Sequence, residues 1–307
     1  MKKVLMILAV GIFFSVAAKE LKVLMIGNSF SICVGRNLPH LVAHEKKHSI
    51  ELTSAYIGGC VFERHAKNLK IAEADPKAEL YVINVWNSGN PAKTITRKGN
   101  VNELLKNNKY DIITIQQGSP QSWDYKFYQP HANELIAYIK KFNPKAEIVI
   151  QQTWAYRADS PKFAQWKFGQ EEMSDRIIAT YSRLAKENNF RIIPVGEGVA
   201  LARKSPYYQY TVPSRKQIEA FIAPDLPPRS SDPVGRHFWY RKGNKQSLGI
   251  DAIHLNEHGQ YLQACIWYSF LFNEDAEKIT YTRPDLSGKS CRILRKLAAE
   301  TMKKYNK

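Results

Sequence analysis

Residues 22–31 read KVLMIGNSFS, an apolar stretch that runs directly into a glycine, an asparagine and a serine. A short continuous apolar run that ends at a turn is typical of a strand buried on both faces. Ser29, which follows the strand, has two interpretations. It caps a helix, a position at which serine is favoured, or it presents its hydroxyl for chemistry. Judged on this stretch alone, the helix cap is the simpler interpretation.

The same alternation of apolar strands and amphipathic helices continues along the chain. Residues 109–118 (KYDIITIQQG) and 146–154 (AEIVIQQTW) predict two further strands. Residues 130–142 and 171–188 follow them, with apolar residues at helical spacing. Short apolar strands separated by such helices are typical of parallel strands that are covered on both faces. We therefore predict an α/β fold, a three-layer α/β/α sandwich around a central parallel sheet.

Two segments interrupt the alternation. Residues near 79–99 predict a hairpin inserted before the central strand, and residues 205–249 are rich in Pro, Arg, Ser and aromatics without a clear period. A long irregular segment within a compact domain is usually a functional loop. Because no repeat or low-complexity linker divides the rest, we predict a single domain over residues 19–307.

The first residues predict export. MKKVLMILAVGIFFSVAA has a basic start, an apolar middle and small residues at its end, the layout of a signal peptide over residues 1–18. Its apolar run is shorter than the ~20 residues of a spanning helix. We therefore expect a secreted or periplasmic protein without stable membrane insertion after cleavage. Removal of Lys2 and Lys3 lowers the formal net charge of +17 to +15, and the lysines are scattered, which argues against nucleic acid as a partner.

The cysteines and histidines narrow the chemistry only a little. An exported chain can form disulfides, and either bridges or free buried thiols are compatible with Cys33, Cys60, Cys265 and Cys291. None of their spacings is that of a zinc motif, and the eight histidines lack the HExxH pairing of a zinc hydrolase. We expect neither a catalytic metal nor a cofactor.

A distant segment changes the interpretation of Ser29. In residues 249–259 (GIDAIHLNEHG), Asp251 and His254 stand three apart, just before a helix that Asn256 can cap. A carboxylate can hold one ring nitrogen of a histidine while the other faces outward. A histidine oriented in this way takes the proton from a serine hydroxyl, which is otherwise a poor nucleophile. Ser29, Asp251 and His254 are therefore candidates for a catalytic triad.

These motifs together resemble the four blocks of the SGNH (GDSL-like) hydrolase superfamily: IGNSFS, YIGGCVFERH, QQGS and DAIHL. Within it, TWAY and HLNEHGQYL are similar to a bacterial branch of largely uncharacterised domains that begins with GNSFS and is related to carbohydrate O-acetylesterases. The resemblance spans roughly residues 21–272. It implies a flavodoxin-like sandwich, with Ser29 as nucleophile, His254 as base and Asp251 as the residue that orients it.

The resemblance also implies donors for the oxyanion that forms during acyl transfer. The backbone N–H groups of Ser29 and Gly59 are two of them. The third block normally offers an asparagine, which this chain lacks. We expect a glutamine amide instead and favour Gln117, which stands beside the glycine, while Gln116 remains open.

Two further residues are candidates for substrate binding. Trp154 ends a strand at the sheet edge where ligands bind, as a sugar-stacking platform or as a core residue. Arg64 follows the second block, where it contacts substrate or merely starts a helix.

Together, the motifs and the resemblance predict a secreted serine esterase that hydrolyses an O-acyl group, with an acetyl group on a carbohydrate as the expected substrate. Its partner is then a small-molecule or glycan ester. Two alternatives stay open: an acyltransferase that uses the same triad, and a catalytically inactive glycan-binding module.

Overall fold

The computed structural model describes residues 17–227 and 231–305. Nine strands lie in these residues: β1 (Glu20–Gly27), β2 (Ser49–Tyr56), β3 (Tyr81–Asn87), β4 (Ile95–Gly99), β5 (Ile112–Ile115), β6 (Glu147–Gln151), β7 (Ile192–Ile193), β8 (Val234–Lys242) and β9 (Lys245–Leu255). Seven of them form one sheet in the order β4-β3-β2-β1-β5-β6-β7. β1 pairs in parallel with β2 and β5, and β6 pairs in parallel with β5 and β7. At one edge of the sheet, β3 pairs antiparallel with both β2 and β4.

Ten α-helices lie in the described residues. They are α1 (Ser29–Glu45), α2 (Phe62–Ala74), α3 (Val101–Asn107), α4 (His131–Phe142), α5 (Lys162–Trp166), α6 (Gln170–Asn188), α7 (Val195–Lys204), α8 (Arg215–Glu219), α9 (Glu257–Phe272) and α10 (Gly288–Met302). Helices α1, α7 and α10 contact α9, while α2, α3 and α4 contact one another. The predicted α/β/α sandwich is confirmed, with a mostly parallel sheet in a single domain.

The core explains why the central strands read as continuous apolar runs. Val23, Leu24 and Met25 of β1 are fully buried because helices cover both faces of the sheet. Helix α9 is apolar around its whole circumference, and its residues from Tyr261 to Phe272 are buried. A helix of that kind belongs in the interior of a domain. Its start is therefore held in a fixed position relative to the sheet.

The two interrupting segments have different outcomes. Within residues 79–99, β3 and β4 form the antiparallel hairpin that the sequence predicts. Residues 205–249 are more regular than predicted, because β8 and the first five residues of β9 fall within them. The two strands pair antiparallel as a separate two-stranded ribbon. The sequence of β8 lacks the alternation of apolar and polar residues that predicts a strand with one buried face. The reason is that the apolar side chains of Phe238 and Tyr240 are exposed and do not pack into a core. The ribbon carries residues of the site described below.

The predicted signal peptide lies almost wholly outside the described residues, which begin at residue 17. Within the two described ranges, no helix combines the length and the apolar character needed to cross a membrane.

Candidate active site

Ser29 occupies the first position of α1, and Asn28 rather than Ser29 caps that helix. The side-chain oxygen of Asn28 accepts a hydrogen bond from the Phe30 N–H over 3.0 Å. Asn28 thus satisfies one of the N–H groups that a helix start leaves without an intrahelical partner. The interpretation of Ser29 as the cap is wrong, and its hydroxyl is left for another contact.

The strand–helix turn needs a glycine before it. A β-carbon on Gly27 would lie 2.4 Å from the Ser31 Oγ and 3.0 Å from the Gln116 side chain. Any larger residue would push these groups apart. Each position of this turn therefore has a physical reason: Gly27 allows the close approach, Asn28 caps the helix, and Ser29 keeps its hydroxyl free for another contact.

Asp251 and His254 lie at the irregular end of β9. Arg236 pairs with Asp251 and Val234 with Leu255, so β9 carries two more residues than β8 across this interval. Such a bulge bends the strand. It brings together two side chains that a regular strand would turn to opposite faces. The residues were expected on a turn before the helix, and the structure places them at this bulged strand end.

The carboxylate of Asp251 holds the ring of His254. Its two oxygens lie 3.0 and 3.2 Å from His254 Nδ1. One of them also accepts the backbone N–H groups of Ile253 and His254. Burial alone would raise the pKa of Asp251, but the hydrogen bonds from the His254 ring and from the two N–H groups outweigh it and lower that pKa to about 2. Asp251 is therefore a carboxylate at neutral pH.

The other ring nitrogen of His254 reaches the serine. His254 Nε2 lies 2.9 Å from Ser29 Oγ, a normal hydrogen-bond length. The ring remains accessible, because 46% of the His254 side chain is exposed against 16% of Asp251. Asn256 then caps α9 by accepting the N–H groups of His258 and Gly259, as the sequence predicts. The three candidate triad residues thus form one continuous hydrogen-bonded series.

Trp154 lies in the wall of the site but is only 1% exposed. Its indole N–H donates to the carbonyl oxygen of Ile253 over 2.9 Å, and its ring packs on Phe30 with centroids 4.1 Å apart. A side chain so deeply buried offers no face to a sugar. The prediction of a stacking platform is wrong, and the structure assigns Trp154 to holding the strand end of the ribbon against the start of α1.

The loop after β2 lies beside the nucleophile turn. The Asn28 amide donates to the carbonyl oxygen of Cys60 over 3.0 Å. A β-carbon on Gly118 would lie 2.8 Å from the same oxygen, so this glycine lets the loop approach the end of β5. Gly59 in the loop is exposed and has a φ of +61°, which favours glycine. Its role as an oxyanion donor stays a prediction, as does that of the Ser29 N–H.

Gln117 does not reach the site. Its side chain is fully buried, its amide oxygen accepts the N–H groups of Phe62 and Gly118, and its amide nitrogen donates to the Phe127 carbonyl over 2.8 Å. This geometry contradicts the expectation that the Gln117 amide donates to an oxyanion. Gln116 contacts the nucleophile turn instead, because its amide nitrogen donates to the Asn28 side chain over 2.6 Å. Gln117 thus holds backbone near the site, and Gln116 holds the side chain that caps α1.

A pocket of about 190 Å³ opens at the Ser29–His254 contact. It is smaller than the 300–1,000 Å³ typical of sites that enclose drug-sized ligands. Arg64 is not in its wall and stands exposed on α2. The pocket is also lined by residues that the sequence did not identify as part of the site: Ile32, Cys33, Arg36, Gly235, Arg236, Leu255, Asn256 and Gln260.

The four cysteines are all buried free thiols, which resolves the alternatives left open by the sequence. Cys33 lines the pocket one helical turn after Ser29 and lies 2.8 Å from the Gln263 amide oxygen. Burial raises the pKa of the Cys33 thiol to about 12. Because the thiolate is the nucleophilic form of cysteine, this thiol does not compete with Ser29 at neutral pH. Among the described residues, no three His, Cys, Asp or Glu side chains are grouped as metal ligands.

Comparison with known proteins gives a family and a fold. Residues 22–211 match the model of DUF4886, described as a domain of unknown function. A solved DUF4886 family protein from Bacteroides uniformis is 23% identical, with a TM-score of 0.74 over 94% of this chain and 96% of that one. A variant of Axe2, an acetyl-xylooligosaccharide esterase from Geobacillus stearothermophilus, is 12% identical, with a TM-score of 0.46 over 86% and 97% of the two chains. No protein of curated function matches the sequence.

Proposed function

This chain belongs to the DUF4886 family, and from the geometry of its own site we propose that it is a serine hydrolase that cleaves carboxylic esters. One observation carries the proposal: His254 Nε2 lies 2.9 Å from Ser29 Oγ while Asp251 holds the opposite ring nitrogen. Nucleophile, base and orienting carboxylate within hydrogen-bond reach are the arrangement that activates a serine hydroxyl.

In the first half of the proposed reaction, the Ser29 hydroxyl gives its proton to His254 Nε2 as Oγ bonds to the acyl carbon. The carbonyl oxygen becomes an oxyanion, for which the Ser29 N–H at the start of α1 and the Gly59 N–H are the proposed donors. The alcohol then leaves and takes the proton from His254. Asp251 stays ionised throughout, and its charge stabilises the imidazolium.

In the second half, water attacks the acyl-enzyme. His254 accepts a proton from that water and returns it to Ser29 Oγ as the acid departs. The balance needs only the ester and water, so the residues of this chain suffice for every proton transfer.

We further propose that the ester is an O-acyl group on a carbohydrate outside the cytoplasm. The small pocket favours a short acyl group such as acetyl. A second groove adjoins the pocket at Asp251 and His254, and the half-exposed ring of Phe238 lines it, which offers a sugar an apolar surface. The leader-like residues 1–18 support export.

The test is turnover of p-nitrophenyl acetate by the purified protein and by Ser29→Ala. We expect the variant to lose activity about 10³-fold or more, since triad residues act as a unit. Its stability should change by only ~1 kcal/mol, because Asn28 caps the helix and Ser29 gives up one half-exposed hydrogen bond. Ser174→Ala, on α6, is the matched control and should keep full turnover. A Ser29→Ala protein that retains a tenth of the activity would show that the nucleophile is another residue.

A further inference from the structure

Two arginines line the pocket at the Ser29–His254 contact. Arg36 lies on α1 two helical turns after Ser29, on the same face, and it lines the pocket. Arg236 pairs with Asp251 across the β8–β9 ribbon and lines the same pocket. Residues paired across antiparallel strands project to the same face. Both guanidinium groups are therefore carried by elements that also carry a triad residue.

Neither arginine has an ion pair within the part of the chain that the structure describes, although ion pairing is common among its arginines. The paired ones are Arg97, Arg157, Arg176, Arg183, Arg191, Arg203, Arg215 and Arg283. Among the described residues that line the pocket, Asp251 is the single acid, and both of its oxygens are held by His254. No further acid in this described lining balances the charge of the two guanidinium groups.

The adjoining groove extends the positive charge. Lys162 and Arg236 line it together with Asp251 and His254. Of the described residues that line this groove, Asp251 is again the only acid. The surface over which a substrate reaches the triad thus carries Arg36, Arg236 and Lys162 against one carboxylate that is already satisfied.

We propose that the natural ester carries a carboxylate on its alcohol portion, as an O-acylated uronic acid does; this rests on the proposed esterase function. Guanidinium groups bind carboxylates through two parallel hydrogen bonds. The negative charge belongs to the alcohol portion because the leaving alcohol must lie beside His254 to take its proton. Arg236 and Lys162 line the groove that contains His254. The acyl group is then the short, uncharged part that the small pocket accepts.

The test compares two methyl glycosides that differ in one group, 3-O-acetylgalactopyranosiduronate and 3-O-acetylgalactopyranoside. At low salt we expect kcat/KM to be about tenfold higher for the acid, equivalent to one charge-assisted contact. The preference should shrink in 1 M NaCl, where the Debye length is about 3 Å. Arg236→Gln and Lys162→Gln, which change the two basic residues of the groove, should each reduce the ratio of the two kcat/KM values, and the double variant should remove it. Arg292→Gln, an exposed arginine on α10, is the control and should keep it.

The ratio cancels any general loss of catalysis in a variant, so only discrimination between the sugars is read. Equal kcat/KM values for the two glycosides, or a preference that survives both salt and the double variant, overturn the inference. If p-nitrophenyl acetate is still hydrolysed in that case, the esterase proposal stands alone. If neither p-nitrophenyl acetate nor any glycoside ester is hydrolysed, the proposed function is wrong and this inference falls with it.

Discussion

Trp154 donates its indole N–H to the carbonyl oxygen of Ile253, the residue between Ala252 and His254, over 2.9 Å. This bond joins the segment that follows β6 to the bulged end of β9. Because Ile253 directly precedes His254, we expect the bond to help set where the imidazole of His254 lies relative to Ser29. Trp154 would then act as a positioning residue.

The first prediction concerns that bond. Trp154→Phe keeps an aromatic ring against Phe30 but removes the donor to Ile253. We expect kcat for p-nitrophenyl acetate to fall at least tenfold with a smaller change in KM, because small misplacements of catalytic groups are costly. Trp267→Phe on α9 is the control, since Trp267 is also fully buried and its indole nitrogen has no partner among the described residues. Equal loss of kcat in the two variants would reduce Trp154 to a packing residue.

The second prediction concerns Gln117. Gln117→Ala leaves the buried Phe62 N–H and the Phe127 carbonyl without their partner, at a cost of about 3 kcal/mol in the free energy of unfolding. Urea unfolding measures this loss. Where the variant is still folded, kcat should fall by less than the ~10²–10³ expected for removal of an oxyanion donor. A selective 10²-fold loss of kcat at unchanged stability would restore Gln117 as a donor.

The third prediction concerns Asp251. Because its pKa is about 2, Asp251 is ionised across the range in which histidine titrates. The profile of kcat/KM between pH 5 and 8 should therefore show no inflection from Asp251. Asp251→Asn should lower kcat by ~10²–10⁴, because an amide fixes the wrong tautomer of the imidazole. A rise of kcat/KM centred near pH 4, or an Asp251→Asn variant with the kcat of the wild type, would contradict this role.

The same carboxyl also affects stability. Its folded-state pKa of about 2 lies below its ordinary value of 3.8. The unfolded chain therefore binds the proton first as the pH falls. Asp251 stabilises the folded state above about pH 4, and this contribution is lost between pH 4 and 2. The difference in unfolding free energy between the wild type and Asp251→Asn should shrink over that window.

The fourth prediction concerns His65, which is fully buried and lies 3.0 Å from the Tyr81 hydroxyl. Burial lowers the pKa of His65 from 6.5 to about 3. Between these two pH values only the unfolded chain binds the proton. The free energy of unfolding therefore decreases as the pH is lowered, by up to about 1.4 kcal/mol per pH unit. His65→Asn should remove this part of the slope between pH 6.5 and 5 in urea unfolding. Tyr81→Phe removes the hydroxyl but leaves the His65 ring buried, so the slope should remain. Loss of the slope in Tyr81→Phe would show that it comes from the hydrogen bond rather than from burial.

Much of the fold follows from patterns that the sequence makes visible. Val23 to Ile26 reads as a strand because both of its faces are buried, and α4 and α6 read as helices because only one face is. The ribbon gave no such signal, since its aromatic residues lie on exposed faces. Asp251 and His254 were recognisable through spacing and residue type, although the bulge that brings them together leaves no mark in the sequence.

The errors at the site have local causes. β5 ends at Ile115, so the strand rule of alternating faces no longer applies to Gln116 and Gln117. Whether an amide points to a pocket or to neighbouring backbone is then set by tertiary contacts. Burial of Trp154 depends on α1 and β9, which are remote in sequence. The place of Arg36 beside the site could have been predicted, because it lies seven residues after Ser29 on the same helix. The place of Arg236 could not, because it depends on how β8 pairs with β9.

The division of the site between two sheets affects how relatives can diverge. The nucleophile turn follows β1 of the seven-stranded sheet, whereas Arg236 lies on β8, which pairs with β9 in a separate two-stranded sheet. Exchange of side chains along β8 therefore disturbs no hydrogen bond of the main sheet. Substitutions on that one strand can change substrate preference while the triad residues on β9 and α1 stay the same. A library of variants confined to β8 is therefore a compact route to new ester specificities.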